Sequence, residues 1–229
     1  MTGRPRPPRA SLAEQAYTEL ERRLVTLELH PGQFLQEKNL TETLGLGRTP
    51  VREAVQRLTE TGLLKIYPRK GILVQPVQAE SLGQVLETRR VLERLLVVKA
   101  AERADEPQRT RLEKLAGALD SASDAVSEAV SDAAHLQAAT FFELDHQLDR
   151  LLAEACRNVF LVRSLAPLHA HCRRLWFLFR ADVDMGDAAR LHAHLARSVS
   201  VEDKTGAIRA LNGIISILEG LHARLEARS

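Results

Sequence analysis

Cysteine is scarce in this chain: 229 residues carry two, Cys156 and Cys172. Both fall in helical-looking segments without metal-type spacing, which argues against a disulfide framework or a zinc module and leads us to expect reduced, buried thiols in a cytoplasmic protein. Long apolar runs are missing as well. Hydrophobic residues make up 45% of the chain, ample for a core, yet no stretch approaches membrane-spanning length. No charged-then-apolar leader opens the sequence, and no internal repeat is evident. We find no nucleophile-and-base pair and no phosphate-cradling glycine loop, so catalysis is not expected. Net charge is nearly absent at +2, but it is unevenly placed. Residues 1–77 hold 12 Lys/Arg against 8 Asp/Glu, and the remainder holds 20 against 22. A basic front and a near-neutral back suit an N-terminal part that meets a polyanion. The length allows two compact domains.

What is present begins with Arg48-Thr49-Pro50-Val51-Arg52-Glu53-Ala54-Val55. Arg48 and Arg52 are one helical turn apart and share a face. Val51, Val55 and Leu58 recur at i, i+4, i+7 on another face, the pattern of a short helix docked on a small core. Arginine grips phosphate and guanine through a planar fork. A helix with one buried stripe and one Arg/Thr stripe is what a reader of the DNA major groove needs. Pro50 sits in the first turn, where its missing N–H is no loss, while Gly47 stands where Ser or Thr would cap better.

The surroundings complete a unit over residues 11–77. Leu12, Ala16, Leu20, Leu24 and Leu27 predict an amphipathic first helix ended by His30-Pro31-Gly32. A second helix is expected over about Glu37 to Leu44, with Leu40 and Leu44 inward and Gly45-Leu46-Gly47 as the tight turn. Two short apolar runs, Leu63-Leu64-Lys65-Ile66 and Gly71-Ile72-Leu73-Val74, flank Tyr67-Pro68-Arg69-Lys70 and read as a two-stranded hairpin with a basic tip. Three helices and a hairpin make a winged helix-turn-helix whose tip can reach a phosphate or the minor groove. Residues 1–10, with Arg4, Arg6 and Arg9, read as a disordered arm, either stiffening on DNA or without a role.

The series Leu24…Pro31-Gly32…Leu40…Leu44-Gly45-Leu46…Arg48-Thr49-Pro50-Val51-Arg52-Glu53-Ala54…Leu58…Gly62-Leu63…Pro68-Arg69-Lys70-Gly71…Val74 resembles the N-terminal domain of GntR-type transcriptional regulators. The resemblance implies base and phosphate contacts from Arg48, Thr49 and Arg52, a further contact from Lys38 on the second helix, and a wing tip at Arg69, Lys70 and Gly71. Gly47 departs from the usual Ser or Thr.

From residue 78 to 229 strand signals vanish, and six helices are expected over 79–103, 107–122, 133–157, 159–182, 187–200 and 204–227. Ser121 to Asp132 reads as a polar linker or frayed helix. Ionisable residues on apolar faces are the informative ones, because a buried charge is retained only when paired or facing a polar cavity. Arg89 shares a stripe with Leu86, Glu93 and Leu96. Asp145 shares one with Phe141, Leu148 and Leu152, with Asp149 a turn further on, and His192 is in register with Leu195 and Val199. Arg89 either pairs with Glu93 at i+4 or faces a wet cavity, where a guanidinium suits a carboxylate ligand. Asp145 and His192 either make a satisfied contact between helices or line that same cavity.

Thr88-Arg89-Arg90-Val91-Leu92-Glu93, then Asp145…Leu148…Leu152-Ala153-Glu154-Ala155…Asn158, then His192…Leu195…Asp203…Ala207 resemble the effector domain of the FadR branch, the FCD type. That implies an all-α bundle of six or seven helices binding a small metabolite, often an organic acid, and in many members a divalent metal held by one Asp and three His. Asp145 matches the Asp and His192 one His; Asp149 and Ile214 stand where two others would be. Asp145, Asp149 and His192 could hold a hard ion such as Mg²⁺ or Mn²⁺ with waters, but a pocket that is metal-free or binds metal only weakly is the favoured reading. His169, His171 and His194 are further donors that could enter from another direction.

The expectation is a mainly α protein: a winged helix-turn-helix followed by an effector-binding and dimerisation bundle. It would bind a near-palindromic operator as a homodimer, most simply as a repressor relieved by a small carboxylate. The rivals are a metal-dependent enzyme using Asp145, Asp149 and His192, and a non-specific architectural DNA-binding protein.

Overall fold

The computed structural model describes residues 11–127, 133–181 and 183–228, and the chain divides into two units, Met1–Val77 and Gln78–Ser229. The arm over residues 1–10 lies outside the described residues.

In the first unit, α1 (Leu12–Val25) starts at Ser11, whose Oγ accepts from the Glu14 amide at 3.1 Å, satisfying one of the free N–H groups of a helix start. Ala16, Leu20 and Leu24 are fully buried, whereas Leu12 is more than half exposed. The helix stops earlier than the apolar stripe suggests. Leu27 is not its fifth inward residue but takes a left-handed backbone (φ 60°), and the Leu29 amide closes onto the Arg23 carbonyl at 3.0 Å. This helix-ending turn needs no glycine or proline at the stop, so His30-Pro31-Gly32 lies beyond it.

Helix α2 (Glu37–Leu44) ends on Gly45 at φ 63°, and α3 (Arg48–Glu60) buries Val51, Ala54, Val55 and Leu58. Strands β2 (Leu64–Tyr67) and β3 (Gly71–Val74) form the expected hairpin. A third strand was not expected: β1 (Phe34–Leu35) pairs antiparallel with β3, giving the order β1-β3-β2. Two residues are too few for a period-2 pattern, so nothing local announces β1.

The wing turn closes through the Lys70 amide onto the Tyr67 carbonyl at 3.1 Å, with Pro68 and Arg69 between. Arg69 has φ 66° there, a conformation that glycine or asparagine adopts at less cost. Gly71 is different: at φ 117°, an added Cβ would lie 2.6 Å from the Leu35 carbonyl oxygen. Gly71→Ala is therefore expected to cost about 1–3 kcal/mol, read as a lower denaturant midpoint with the slope unchanged.

In the second unit, α4 (Ala79–Arg103) packs on α6 (Ala133–Cys156), α7 (Val159–Leu178) and α9 (Lys204–Glu226), while α8 (Met185–Ser200) packs on α5 (Glu106–Ser127) and α9. The starts of α7, α8 and α9 are capped by the side chains of Asn158, Asp184 and Asp203. Helix α5 runs through Ser127, so the first part of the segment read as a polar linker or frayed helix, Ser121 to Ser127, is helical. Ser123 supplies the reason: it is buried and donates to the Gly186 carbonyl at 3.0 Å, so this serine is an interhelical contact rather than a linker residue. The remainder of that expected linker, residues 128–132, lies outside the described residues. Both cysteines are buried and free. Among the described residues, no helix is long and apolar enough to cross a membrane.

Candidate functional site

The first candidate surface lies on the N-terminal unit. Arg48 and Thr49 open α3 and are exposed, with Arg52 one turn on at 73% exposure. Burial of Val51, Val55 and Leu58 fixes the rotation of α3 about its axis, which turns these three side chains to solvent. Arg52 is already oriented. Its Nη2 donates to Glu37 Oε1 at 3.0 Å and its Nε to Glu37 Oε2 at 3.3 Å, a two-point clamp from the start of α2. Among the described residues Arg48 has no ion-pair partner. Lys38 is exposed and lies 3.8 Å from Glu42, too long for a strong pair. Arg69 and Lys70 are exposed at the wing tip, and the Gln36 amide donates to the Lys70 carbonyl at 3.1 Å. The structure therefore carries exposed cations on α2, α3 and the wing of one small domain. Glu37 and Gln36 are the residues sequence reading missed. The signal for Glu37 was only its place at a helix start, where acids are common for another reason.

The second candidate is a network of charge inside the C-terminal bundle. On α4, Arg89 Nη2 donates to Glu93 Oε1 at 3.0 Å, and both side chains are buried. On α7, His169 bridges onward: its Nε2 meets Glu93 Oε1 at 2.7 Å and its Nδ1 meets Asp149 Oδ2 at 3.0 Å. Arg173, one turn along α7 from His169, binds both acids of α6, with Nε on Asp145 Oδ2 at 3.2 Å and Nη2 on Asp149. On α8, His192 Nε2 lies 3.3 Å from Asp145 Oδ1, while its Nδ1 meets the Ala188 carbonyl at 2.7 Å, which requires the proton on Nδ1.

The anticipated residues Arg89, Asp145, Asp149 and His192 thus line one cavity, together with Glu93 and apolar side chains that include Leu148, Leu195 and Ile214. The cavity is small, about 10 Å³, roughly the space of a single water. Two atoms at its wall lack a hydrogen bond: Arg89 Nε and Glu93 Oε2. They lie 2.9 Å apart, close enough to attract but out of line for a bond.

Electrostatics follow from the pairing. Burial raises the Glu93 carboxyl, but Arg89 and His169 outweigh it and hold the group down at about 2. Burial opposes charge on His169 too, yet Asp149 and Glu93 push its imidazole up to about 9. Asp149 is drawn below the usual carboxylate range against its own desolvation by His169 and Arg173. The stability His169 contributes is fully present below its ordinary value of 6.5 and is lost as pH rises through about 9. The contribution of Glu93 is present above 4.5 and is lost as pH falls toward about 2. Chemical denaturation is thus expected to show greatest stability at pH about 5–6.5 and a loss of roughly 1–3 kcal/mol by pH about 9.5. A flat profile across that range would mean that His169 is not charged in the folded chain.

Arg173 is the residue sequence reading missed. It stands beside Arg174 in a run of mixed residues, and no reading of the sequence singled it out. The available signal was its i+4 spacing from His169, which matches the i, i+4 pair Asp145–Asp149.

Comparison with known proteins agrees with the two-unit organisation. Residues 12–74 match the model of the bacterial regulatory proteins of the gntR family, and residues 84–216 match the FCD domain. Among curated relatives, the HTH-type transcriptional regulator McbR of Escherichia coli is 34% identical over 49% of this chain and 51% of its own. The uncharacterised HTH-type regulator YdhC of Bacillus subtilis is 33% identical over 44% of this chain and 45% of its own. The matched stretch thus spans about half the length of these relatives. The solved structure of E. coli McbR/YncC superposes with a TM-score of 0.79 at 21% identity, covering 94% of this chain and 99% of that one. A GntR transcriptional regulator from Rhodococcus sp. RHA1 gives 0.62 at 17% identity, covering 96% and 100%. Those likenesses show the fold, a winged helix-turn-helix followed by an all-α domain. The domain matches show the family: this chain belongs to the GntR family of transcriptional regulators, with a C-terminal FCD domain, and is not an enzyme.

Proposed function

We propose that this regulator binds a near-palindromic DNA operator as a homodimer and that a small anionic metabolite entering the C-terminal cavity changes its affinity for DNA, most simply as a repressor released by ligand. Arg48, Thr49 and Arg52 would read the major groove, with Lys38, Arg69, Lys70 and the wing-tip backbone at Gly71 reaching phosphates or the flanking minor groove. Support for the DNA side is the exposed Arg/Thr stripe on a helix whose opposite stripe is buried. The exposed apolar side chains of Val91 and Leu95, one turn apart on α4, are compatible with a partner copy. A protein of this kind works in the cytoplasm.

The observation that carries the ligand reading is Arg89, a residue lining a polar cavity, whose buried Nε lies 2.9 Å from Glu93 Oε2 yet makes no hydrogen bond. A buried donor without a well-aligned acceptor is costly, and a ligand carboxylate or a water can supply one. With room for about one water, a metabolite enters only if the helices around the cavity move apart. Such a ligand binds the open and closed arrangements unequally, which is the requirement for a response. The helix that carries Arg89 begins at Ala79, directly after the N-terminal unit ends at Val77.

The test is a screen of small organic acids for raised melting temperature of the full chain, followed by operator binding with and without each hit. Arg89→Lys keeps the charge but loses the fork, so it is expected to weaken the response at least tenfold in ligand concentration while operator affinity without ligand stays the same. An unchanged dose response in Arg89→Lys would remove Arg89 from the ligand site.

A further inference from the structure

Two aspartates one turn apart on α6, Asp145 and Asp149, face a histidine on α8, an arrangement whose donor atoms suit a hard divalent ion. Their surroundings do not. Arg173 reaches between the two carboxylates, Nε on Asp145 and Nη2 on Asp149, so a cation already stands where both acids point. A guanidinium has donors only and cannot join an ion's ligand shell. Both nitrogens of His169 are engaged by carboxylates, Nε2 by Glu93 and Nδ1 by Asp149, which leaves no lone pair for a metal. The group Glu93, Asp149 and His169 has ligand atoms within 4.8 Å of one another because those groups bond to each other. Charge agrees with geometry. Glu93, Asp145 and Asp149 already face Arg89, Arg173, His169 and His192, two guanidiniums and two imidazoles, and a divalent ion would add two uncompensated charges to a largely buried site. The residues present do not fit a metal.

We infer that the guanidinium of Arg173 takes the place of a divalent ion between α6 and α7, so that this domain is assembled without metal. The substitution changes more than composition. An exchangeable ion makes a pocket depend on metal supply and on chelators, whereas a side chain delivered by α7 is present whenever the chain is folded. It also removes a Lewis acid from the cavity, leaving hydrogen-bond donors as the means of holding an anion. This inference is independent of the DNA-binding reading, since it concerns what holds the bundle and not what the bundle regulates.

The experiment uses the full chain, purified without metal and titrated calorimetrically with Mn²⁺, Ni²⁺ and Zn²⁺, with thermal unfolding in the presence and absence of EDTA. The wild-type chain is expected to bind no stoichiometric ion and to melt at the same temperature with the chelator. Arg173→Ala, and the more conservative Arg173→Gln, remove the cation that bridges the two aspartates and are expected to gain one divalent site per chain, seen as a melting temperature that rises with Mn²⁺ and falls back with EDTA. Asp145→Asn in the same background should abolish that gain. One equivalent of ion bound to the wild-type chain and lost in Asp145→Asn would overturn the inference. So would folded Arg173→Ala and Arg173→Gln variants that bind no ion. Should neither variant fold, the wild-type titration alone decides between the two outcomes. Operator binding, measured in parallel, reports separately on the regulatory role.

Discussion

Replacing Arg48 and Arg52 together by alanine is expected to eliminate specific operator recognition while leaving the fold intact. Both side chains are exposed on α3 and contribute nothing to the stripe of Val51, Val55 and Leu58 that holds the helix in place. Each bidentate contact to a base is worth about 1–3 kcal/mol, so their joint loss amounts to roughly 30- to 10⁴-fold in affinity. The clamp from Glu37 sharpens the expectation. In free protein Arg52 is held by this carboxylate at 3.0 and 3.3 Å, and Arg52→Ala leaves Glu37 without its cation on a surface that meets phosphates. Arg52→Ala alone should therefore weaken both specific and random duplex, with the larger loss on the operator. Glu37→Gln should raise affinity for random DNA and reduce discrimination. Binding isotherms on both duplexes over a range of salt separate these cases, because a lost phosphate contact lowers the salt slope and a lost base contact does not. Equal losses on the two duplexes in the double variant would reduce α3 to a phosphate-binding element.

Removing Arg89 is expected to have the largest effect on stability. Arg89→Ala leaves Glu93 buried at 5% side-chain exposure with only His169 beside it. Breaking a buried pair from one side costs about 3–5 kcal/mol, because the remaining charge loses its partner but not its burial. Replacing both residues with apolar ones of similar volume, Arg89→Met with Glu93→Leu, should recover most of that loss in chemical denaturation. A fully recovered double variant would show that the pair serves something other than stability, in line with a role toward ligand. A double variant as unstable as Arg89→Ala would instead tie the pair to the wider network through His169.

Much of the fold is legible because this chain punctuates itself. The stripe on α3, Pro50 in its first turn, and the hairpin around Pro68 each have a local cause that a sequence shows directly. What stayed hidden has non-local causes. Strand β1 exists only through its pairing with β3. The stop of α1 at Val25 comes from a left-handed Leu27 rather than from the His30-Pro31-Gly32 signal. The length of α5 rests on Ser123 reaching across to Gly186. At the candidate ligand site, the odd residues Arg89, Asp145 and His192 stood out because each is ionisable on an apolar face. Arg173 did not, since its function depends on α7 facing α6, and no periodicity encodes which helix lies opposite.

Gln36 ties the first turn of α2 to the carbonyl of Lys70, and Gly71 lets that approach occur without collision. The start of α2 and the wing are thereby tied together, so if α3 reads bases and Arg69 meets a phosphate as proposed, the interval between those contacts is constrained before any duplex arrives. On that proposal, discrimination by DNA shape would come from the duplex that must bend to fit, not from the protein.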